Sequence, residues 1–591
     1  MKRLPLSLGA ILIVSLAGWA QDTATIVGTV TDTSGAVIPG AKVTVANQDK
    51  GFTRELVSNA GGEYSAPKIP LGTYVITAVA PGFQKLLRSG ITVAVGQTLR
   101  VDLQLRVGQL TQEVTVAGAA AKVQTETGEL SDAVTSTQIQ NMMMNGRNFS
   151  ALYLLVPGAA PDDSFDPTQI GIAGGAYISY NGNRMEYVNQ EIDGGNNTDE
   201  GSGPDSIDTY PSVDSIAEFR VTTSNYGADM GRHAGAQIEV ATKSGTKAFH
   251  GDAYEYVRND HLDSNDWFIN RTPWPSLDVN ANCNGNPAGP CNAPKTPLKW
   301  NDFGYTLGGP FYIPHLYNNS KDKTFFFWSE EWRKYRQGTV ISNGVPSIRQ
   351  RSGDFSECDP SSPNFNSIVN GGPPGQGTCV LPTDPVTGNT VDTVPVDPDA
   401  AILLNSLVPY PNSGPANYTK AASTPINWRE EQIRVDQNIS DKAAMFLRFT
   451  NDAWNTNWAS TGGWTNSNFD SISTQFFGPA KSAVFHYTYN FKPNLLNEFV
   501  MGYSVDHIRL YPFVGPGSPA HSIDKPSGWT ANNLFPANAS NPLLPSISVC
   551  GGGPCFAEDE YNYPWFNSNP VITWKDNMSW MVGKHTLKFG F

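Results

Sequence analysis

From Phe249 onward, apolar and aromatic residues recur at every second position, and that period restricts the fold more than any other feature. Phe485, Tyr487, Tyr489 and Phe491 alternate with His486, Thr488 and Asn490. Lys492-Pro-Asn494 then makes a tight turn, after which Asn497, Phe499, Met501, Tyr503 and Val505 alternate with Glu498, Gly502, Ser504 and Asp506. A second hairpin runs through Ile433 and Val435, turns over Asn438 to Asp441, and returns along Ala443, Met445, Leu447 and Phe449. Phe303, Tyr305 and Leu307 form another such row. Successive side chains of a strand point to opposite faces, so each row is one face of a β-strand.

The chemistry of the two faces separates a membrane sheet from a soluble one. Charged residues are only 16% of the chain, against ~25% in ordinary soluble domains. The polar faces carry Asn, Ser, Thr, Gly and scattered charges, which suit a lumen better than a Lys- and Glu-rich wet surface. Trp574, Trp580 and Tyr503 sit in the apolar rows, where they would serve as an interfacial girdle. Long Gly/Pro/Asn segments such as Pro360 to Asn427 alternate with tight turns. Short turns on one side and long loops on the other are the asymmetry of an outer-membrane barrel. Glycine (56) and proline (43) also argue against a helix-dominated protein.

The N-terminus fits export. Lys2 and Arg3 precede an uncharged run from Leu4 to Ala17, followed by Ala17-Gly18-Trp19-Ala20 with small residues before Gln21. This is the pattern of a cleaved signal peptide over 1–20, and the run is shorter than the ~18 residues of a spanning helix. Six cysteines form three local pairs in loop-like sequence: Cys283/Cys291, Cys358/Cys379 and Cys550/Cys555. Short-loop disulfides are the natural reading in an oxidising compartment, with proximity alone selecting this pairing. They form no C-x-x-C unit, and a helical H-x-x-x-H site is absent, so a zinc site is not expected. The net charge of −14 points away from nucleic acid as a partner.

Before the barrel pattern the chain reads as two further units. Leu99, Val101, Leu103 and Leu105 against Arg100, Asp102, Gln104 and Arg106 mark a half-buried strand in a compact β unit over 22–106. Gly28-Thr-Val-Thr-Asp32, Ile38-Pro-Gly-Ala-Lys-Val43, Gly62-Glu-Tyr-Ser65, Leu71-Gly-Thr-Tyr-Val75 and Ala80-Pro-Gly-Phe83 make this unit resemble a carboxypeptidase-regulatory-like domain. The resemblance implies a transthyretin-like β-sandwich without peptidase chemistry.

Between 107 and 245 glycines and polar runs dominate. A helix is expected from about Thr137 to Val156, capped by Thr135-Ser136-Thr137, with Ile139, Met142, Met143, Phe149, Leu152 and Leu155 as its apolar positions. The methionines read as core rather than as a ligand box. Glu191 to Asp208 is acidic and Asn-rich but lacks the residue order of a calcium loop, so it reads as solvated. Gln112-Glu-Val-Thr-Val116, Asn145-Gly-Arg-Asn-Phe149, Val156-Pro-Gly158, Ile192-Asp-Gly194, Pro211 to Val221 and Thr242-Lys-Ser-Gly-Thr246 follow in one order. The ordered series is similar to the plug of TonB-dependent outer-membrane receptors, in particular their Oar-like branch. Met142-Met-Met144 departs from the Leu-Pro-Leu-like triplet usual there.

The fold expected is therefore mainly β: signal peptide, sandwich, mixed α/β plug, and part of a transmembrane antiparallel barrel over 246–591. About ten strands are legible after Phe249, against about 22 for a barrel that holds a separate plug. The chain is accordingly expected to be the front part of a longer protein, with a complete small barrel ending at Phe591 as the alternative. No nucleophile elbow, phosphate loop, dinucleotide fingerprint or cofactor motif appears, and an enzyme is not expected. Glu330/Glu331 and Glu430/Glu431 are neighbours on strands, so each pair points to opposite faces. The resemblance implies an outer-membrane receptor that takes up an extracellular substrate, drawn by a TonB-type periplasmic transducer. The segment Glu113, Val114, Thr115, Val116 is the candidate for pairing with that transducer. A barrel-anchored adhesion or structural protein, or a secreted carbohydrate-binding protein, is the competing expectation. Function that survives loss of proton-motive force would favour the adhesion reading.

Overall fold

The computed structural model describes residues 23–108, 113–117, 126–162, 177–199, 207–264, 297–366, 379–458, 473–513, 525–531 and 565–591, apart from short internal gaps, together with short pieces at 165–168, 273–274, 291–292, 547–549 and 556–558. The signal sequence and Cys283, Cys550 and Cys555 lie outside the described residues.

The first unit is a two-sheet sandwich. Thr23–Thr31 pairs antiparallel with Glu63–Pro70 and parallel with Thr98–Arg100 and Leu103–Gln104. The second sheet is ordered Phe52–Val57, Lys42–Asn47, Gly72–Val79, Lys85–Val93, Glu113–Ala117. Leu99, Val101, Leu103 and Leu105 are all buried, with Ile26, Val43, Val45, Tyr64, Tyr74 and Ile76 from the other strands. One glycine of the signature is dictated by contact: a Cβ on Gly28 would lie 2.0 Å from the carbonyl oxygen of Val101. That same carbonyl accepts a 2.6 Å bond from the Tyr64 hydroxyl.

The plug is built on a mixed sheet ordered Leu130–Val134, Ile216–Ser224, Gln237–Thr242, Asn189–Ile192, Gly195–Asn196. The expected long helix is two short pieces. An α-helix covers Ser136–Asn141, with Thr135 and Gln138 forming a capping box. A 3-10 helix follows at Phe149–Leu155, where Asn148 caps by accepting from the Ser150 amide. Met142 breaks the helix in extended conformation. Met143 is fully exposed and Met142 is also exposed, so these two are not the core residues expected of them. The glycine and left-handed Arg147 (φ 46°) of Asn145-Gly-Arg-Asn-Phe149 bend the chain there. The segment Glu191 to Asp208, expected in solvent, is likewise buried where described: Asn196, Asn197, Thr198, Asp199 and Asp208 are each less than a tenth exposed. Asn197 bonds within the plug to Thr209, and Glu191 pairs with Lys575 in the wall formed by the third unit.

That wall is an antiparallel sheet with ten strands among the described residues. Its order is His250–Asn259, Leu298–Pro310, Thr324–Gly344, Asn417–Ser440, Ala443–Trp458, Ser473–Lys492, Leu495–Phe513, Val571–Val582, His585–Gly590, with Trp565–Ser568 also on Leu495–Phe513. Among the described residues the sheet is not closed on itself. Both hairpins read from the sequence are present in register, for example Phe485 opposite Met501 and Val435 opposite Leu447. Outward positions are apolar and exposed: Tyr305, Leu307, Leu447, Phe449, Met501, Tyr503, Trp574 and Trp580. Val505, read into that outward row, is buried instead. The strands exceed the expected span. Asn417–Ser440 has 24 residues, roughly 80 Å of strand at ~3.3 Å per residue. It takes its first residues from what reads in the sequence as a loop ending at Asn427.

Candidate functional site

The inner face of the wall meets the plug through charged side chains, and the contacts fall on the motif residues. Asp193 lies in the turn of the Asn189–Ile192/Gly195–Asn196 hairpin, with φ of 53°. A Cβ on Gly195 would come within 2.4 Å of Val484, so only glycine lets this hairpin press so close to the wall. The approach buries Asp193 completely. Its Oδ1 accepts from the Thr242 amide at 2.8 Å and its Oδ2 from the Thr242 hydroxyl at 2.7 Å. Two wall arginines complete it: Arg434 Nη1 lies 3.1 Å from Oδ1 and Arg448 Nε 2.8 Å from Oδ2. Arg434 also pairs with Asp436 and stacks on Phe446, while Arg448 donates to Thr450 and Ser482. A buried charge is tolerated when paired and hydrogen-bonded this fully.

A second contact uses Arg147. Its Nη2 lies 2.6 Å from Asp214 of the plug and 3.6 Å from Glu331 of the wall, and its guanidinium covers the rings of Tyr254 and Tyr256. Tyr254 in turn donates to Glu331 at 2.6 Å. Burial pulls the Arg147 guanidinium down, and the Glu331 and Asp214 carboxylates more than offset it, holding it above the usual arginine value. Further pairs tie Glu191 to Lys575 and Asp229 to Lys588. The Tyr210 amide donates to Asp452, which also accepts from the Trp428 indole. Plug contacts thus reach strands at both ends of the wall.

The acidic doublets divide between faces as expected. Glu330 pairs with Arg429 and accepts from Tyr305 on the outer side, whereas Glu331 turns inward. What the spacing within a strand does not reveal is the register between strands. Glu331 stands opposite Glu430, and Glu430 opposite Asp452, so three acids share one inward row. The inner face also differs from the plain polar lumen expected. Trp300, Tyr335, Ile426, Trp428, Trp454, Phe476, Ile508 and Leu510 join the core of the plug in one apolar cluster.

The sandwich contacts both the plug and the wall. Lys68 pairs with Glu498 of the wall at 2.8 Å, and the Asn438 amide donates to the Lys50 carbonyl at 3.0 Å. Arg220 of the plug donates to the Gly96 carbonyl at 2.6 Å and pairs with Glu129. The Val95 amide donates to the Glu218 carboxylate. Burial pushes the Glu218 carboxyl up to about 7, and the Val95 amide and Lys50 only partly oppose this.

The sequence-derived candidates fall as follows. Glu113, Val114, Thr115 and Val116 form an edge strand of the sandwich, parallel to Lys85–Ser89, with no strand on the other side among the described residues. Cys358 and Cys379 are joined in a disulfide, buried beside the wall loops, with Cα atoms 5.4 Å apart. Cys291 lies in a two-residue strand, and its expected partner Cys283 is outside the described residues. Sequence reading passed over Asp193, Arg434 and Arg448. The signal available for them was arginine at the same alternating positions as acids, Arg434 with Glu430 and Asp436 on one strand and Arg448 with Asp452 on the next.

Residues 241–591 match the family described as outer membrane beta barrel domain, and residues 25–106 match the carboxypeptidase regulatory-like domain. The TonB-dependent transporter Oar of Myxococcus xanthus is 26% identical over 327 residues, 54% of this chain and 27% of that protein. The chain therefore spans about a quarter of that relative's length. Among solved structures, the outer membrane transporter YddB from Escherichia coli shares 13% identity, covering 78% of this chain and 47% of the other, with a TM-score of 0.43. The ferric enterobactin receptor PfeA of Pseudomonas aeruginosa shares 10%, covering 78% and 48%, with a TM-score of 0.38.

Proposed function

The chain belongs to the outer membrane beta barrel domain family, and on that premise we propose that it is a receptor of the outer membrane that imports a substrate by energy-coupled displacement of its plug. The observation that carries this reading is the seating of the plug. It is a separately hydrogen-bonded unit, held on the inner face of the wall by Asp193–Arg434/Arg448 and Arg147–Glu331. Ion pairs of this kind fix a position and can be exchanged for water when a force opens them. Outward aromatic rows lie in lipid, and the substrate meets the long loops and the plug face remote from the sandwich.

The sandwich over 22–106, plug over 107–245 and wall over 246–591 then have distinct tasks. The sandwich stands in the periplasm, and a TonB-type transducer engages Glu113 to Val116. As an edge strand this segment can accept a further strand through its backbone, with little demand on sequence. A pull transmitted there reaches the plug through the chain from Ala117 onward and through Arg220 and Glu218 at the docking face. Deleting Glu113 to Val116 is expected to abolish energy-dependent uptake while surface binding persists. Unchanged uptake would remove the coupling role.

A further inference from the structure

Thirteen residues, 311 to 323, join the wall strands Leu298–Pro310 and Thr324–Gly344. The neighbouring turns at that end of the wall, Asp441-Lys442, Pro493-Asn494 and Gly583-Lys584, have two residues each and no large apolar side chain. The longer turn instead reads Phe-Tyr-Ile-Pro-His-Leu-Tyr from Phe311 to Tyr317. Phe311, Ile313, Leu316 and Tyr317 are 52%, 43%, 79% and 36% exposed with the sandwich in place. Turns in water are built chiefly from Gly, Pro, Asn, Asp and Ser, so turn chemistry does not account for this apolar rim.

The exposure is built into the turn. Asn318 is buried, and its Nδ2 donates to the Phe311 and Thr324 carbonyls at 2.8 and 3.1 Å. Its Oδ1 accepts from the amides of Asp322 and Lys323, both at 3.0 Å. Ile313 and Tyr317 bridge across the turn, and the Tyr317 hydroxyl bonds to Thr324 and Gln437. The Asn438 side chain donates to the Asp322 carbonyl at 2.8 Å and to the Lys50 carbonyl of the sandwich. The sandwich thus meets the turn at Asp322 and leaves its apolar residues exposed. Those residues continue the outer face of the wall. Phe311 falls on the same alternate positions as Tyr305 and Leu307, and the Phe249 ring lies 6.4 Å from the rings of both Tyr312 and Phe326. The Lys321 ammonium stands 4.6 Å over the Tyr312 ring, and Lys323 beside it is exposed.

We propose that residues 311–323 are an interfacial anchor, with Phe311, Ile313, Leu316 and Tyr317 seated among the headgroups and first acyl carbons of the phospholipid leaflet on the sandwich side. The inference rests on the outward rows being lipid-facing, since the rim is continuous with them. Its chemistry matches that boundary: aromatic rings sit at headgroup level, and lysine stems lie along apolar surface while their ammonium groups reach the phosphates. An apolar rim of this kind enters the headgroup and acyl boundary without spanning the bilayer.

The test uses the purified full chain in vesicles of phosphatidylethanolamine and phosphatidylglycerol. A single nitroxide is placed at Leu316→Cys, with Asp441→Cys as the aqueous reference and Leu447→Cys as the lipid reference. The native chain taken through the same labelling is the blank. The label at 316 should lose most of the nickel-chelate collisions seen at 441 and keep frequent collisions with oxygen, giving a ratio between the two references. A ratio equal to that at 441 would place the turn in water and overturn the anchor. Shielding from both reagents would put a second copy or another protein on the rim and overturn it as well. In either case a lipid-like label at 447 leaves the outward rows in lipid, whereas an aqueous label at 447 removes that reading and the anchor with it. Ile313→Cys gives the same measurement should Leu316→Cys fail to fold or label.

Discussion

At the scale of single residues, burial determines what each charge is worth. Asp193 is completely buried against two arginines, so in the seated plug its carboxylate is their compensating charge. Asp193→Asn is expected to cost about 2–4 kcal/mol, because Arg434 and Arg448 would remain buried with reduced compensation. Thermal unfolding of the detergent-solubilised protein measures this, and an unshifted transition would show the pair to be energetically idle. Glu218 supplies a pH dependence at the sandwich–plug contact. Its carboxyl is pushed up to about 7 in the folded chain, whereas the unfolded value is about 4.3. A raised carboxyl favours the protonated folded form, so its contribution is whole below about pH 4 and lost as pH rises through about 7. Glu218→Gln should flatten the stability profile over that window by on the order of 2 kcal/mol, read from denaturation midpoints at successive pH values. None of these partners is legible in the sequence. Asp193-Gly194 is an ordinary turn dipeptide until the fold lays Arg434 and Arg448 over it.

At the scale of elements, period two was the readable quantity and length was not. The rows around Phe485 and Leu447 emerged in the expected hairpins because alternation fixes which face is which, and the turns fix register. Asn417–Asn427 reads as loop because it closes the long Gly/Pro/Asn segment that starts at Pro360. It is a strand because Thr324–Gly344 pairs with Asn417–Ser440 over their shared length. The Thr137–Val156 helix failed for a different reason. Its apolar spacing suits a helix, but Asn145-Gly146 and left-handed Arg147 interrupt it, and Arg147 is spent on Asp214 and Glu331. An element-scale prediction follows from the outward rows. Leu447→Arg places a charge on a residue 53% exposed. It should destabilise the chain in a bilayer by about 2–4 kcal/mol. In a soluble sheet the same change would stay within about 0.5 kcal/mol. Folding equilibria in lipid vesicles and in aqueous denaturant distinguish the two.

At the scale of the whole molecule, three units with different kinds of surface meet at one interface. The sandwich has its own apolar core around Ile26, Tyr64 and Leu103. The plug core runs on into the inner aromatic side chains of the wall, so plug and wall share one apolar cluster. Order along the chain was legible because each unit carries its own period and turn chemistry. The shared cluster was not, since a tryptophan on a strand reads alike whether it faces lipid or plug; Trp300 and Trp574 look the same in sequence and lie on opposite faces. The wall thus divides into a lipid face and an occupied inner face. Nitroxide labels placed singly at 447, 448, 449 and 450 in isolated outer membranes test it directly. Labels at 447 and 449 should collide with dissolved oxygen and be shielded from an aqueous nickel chelate, while those at 448 and 450 should be shielded from both. Equal exposure of 447 and 449 to the aqueous chelate would contradict it.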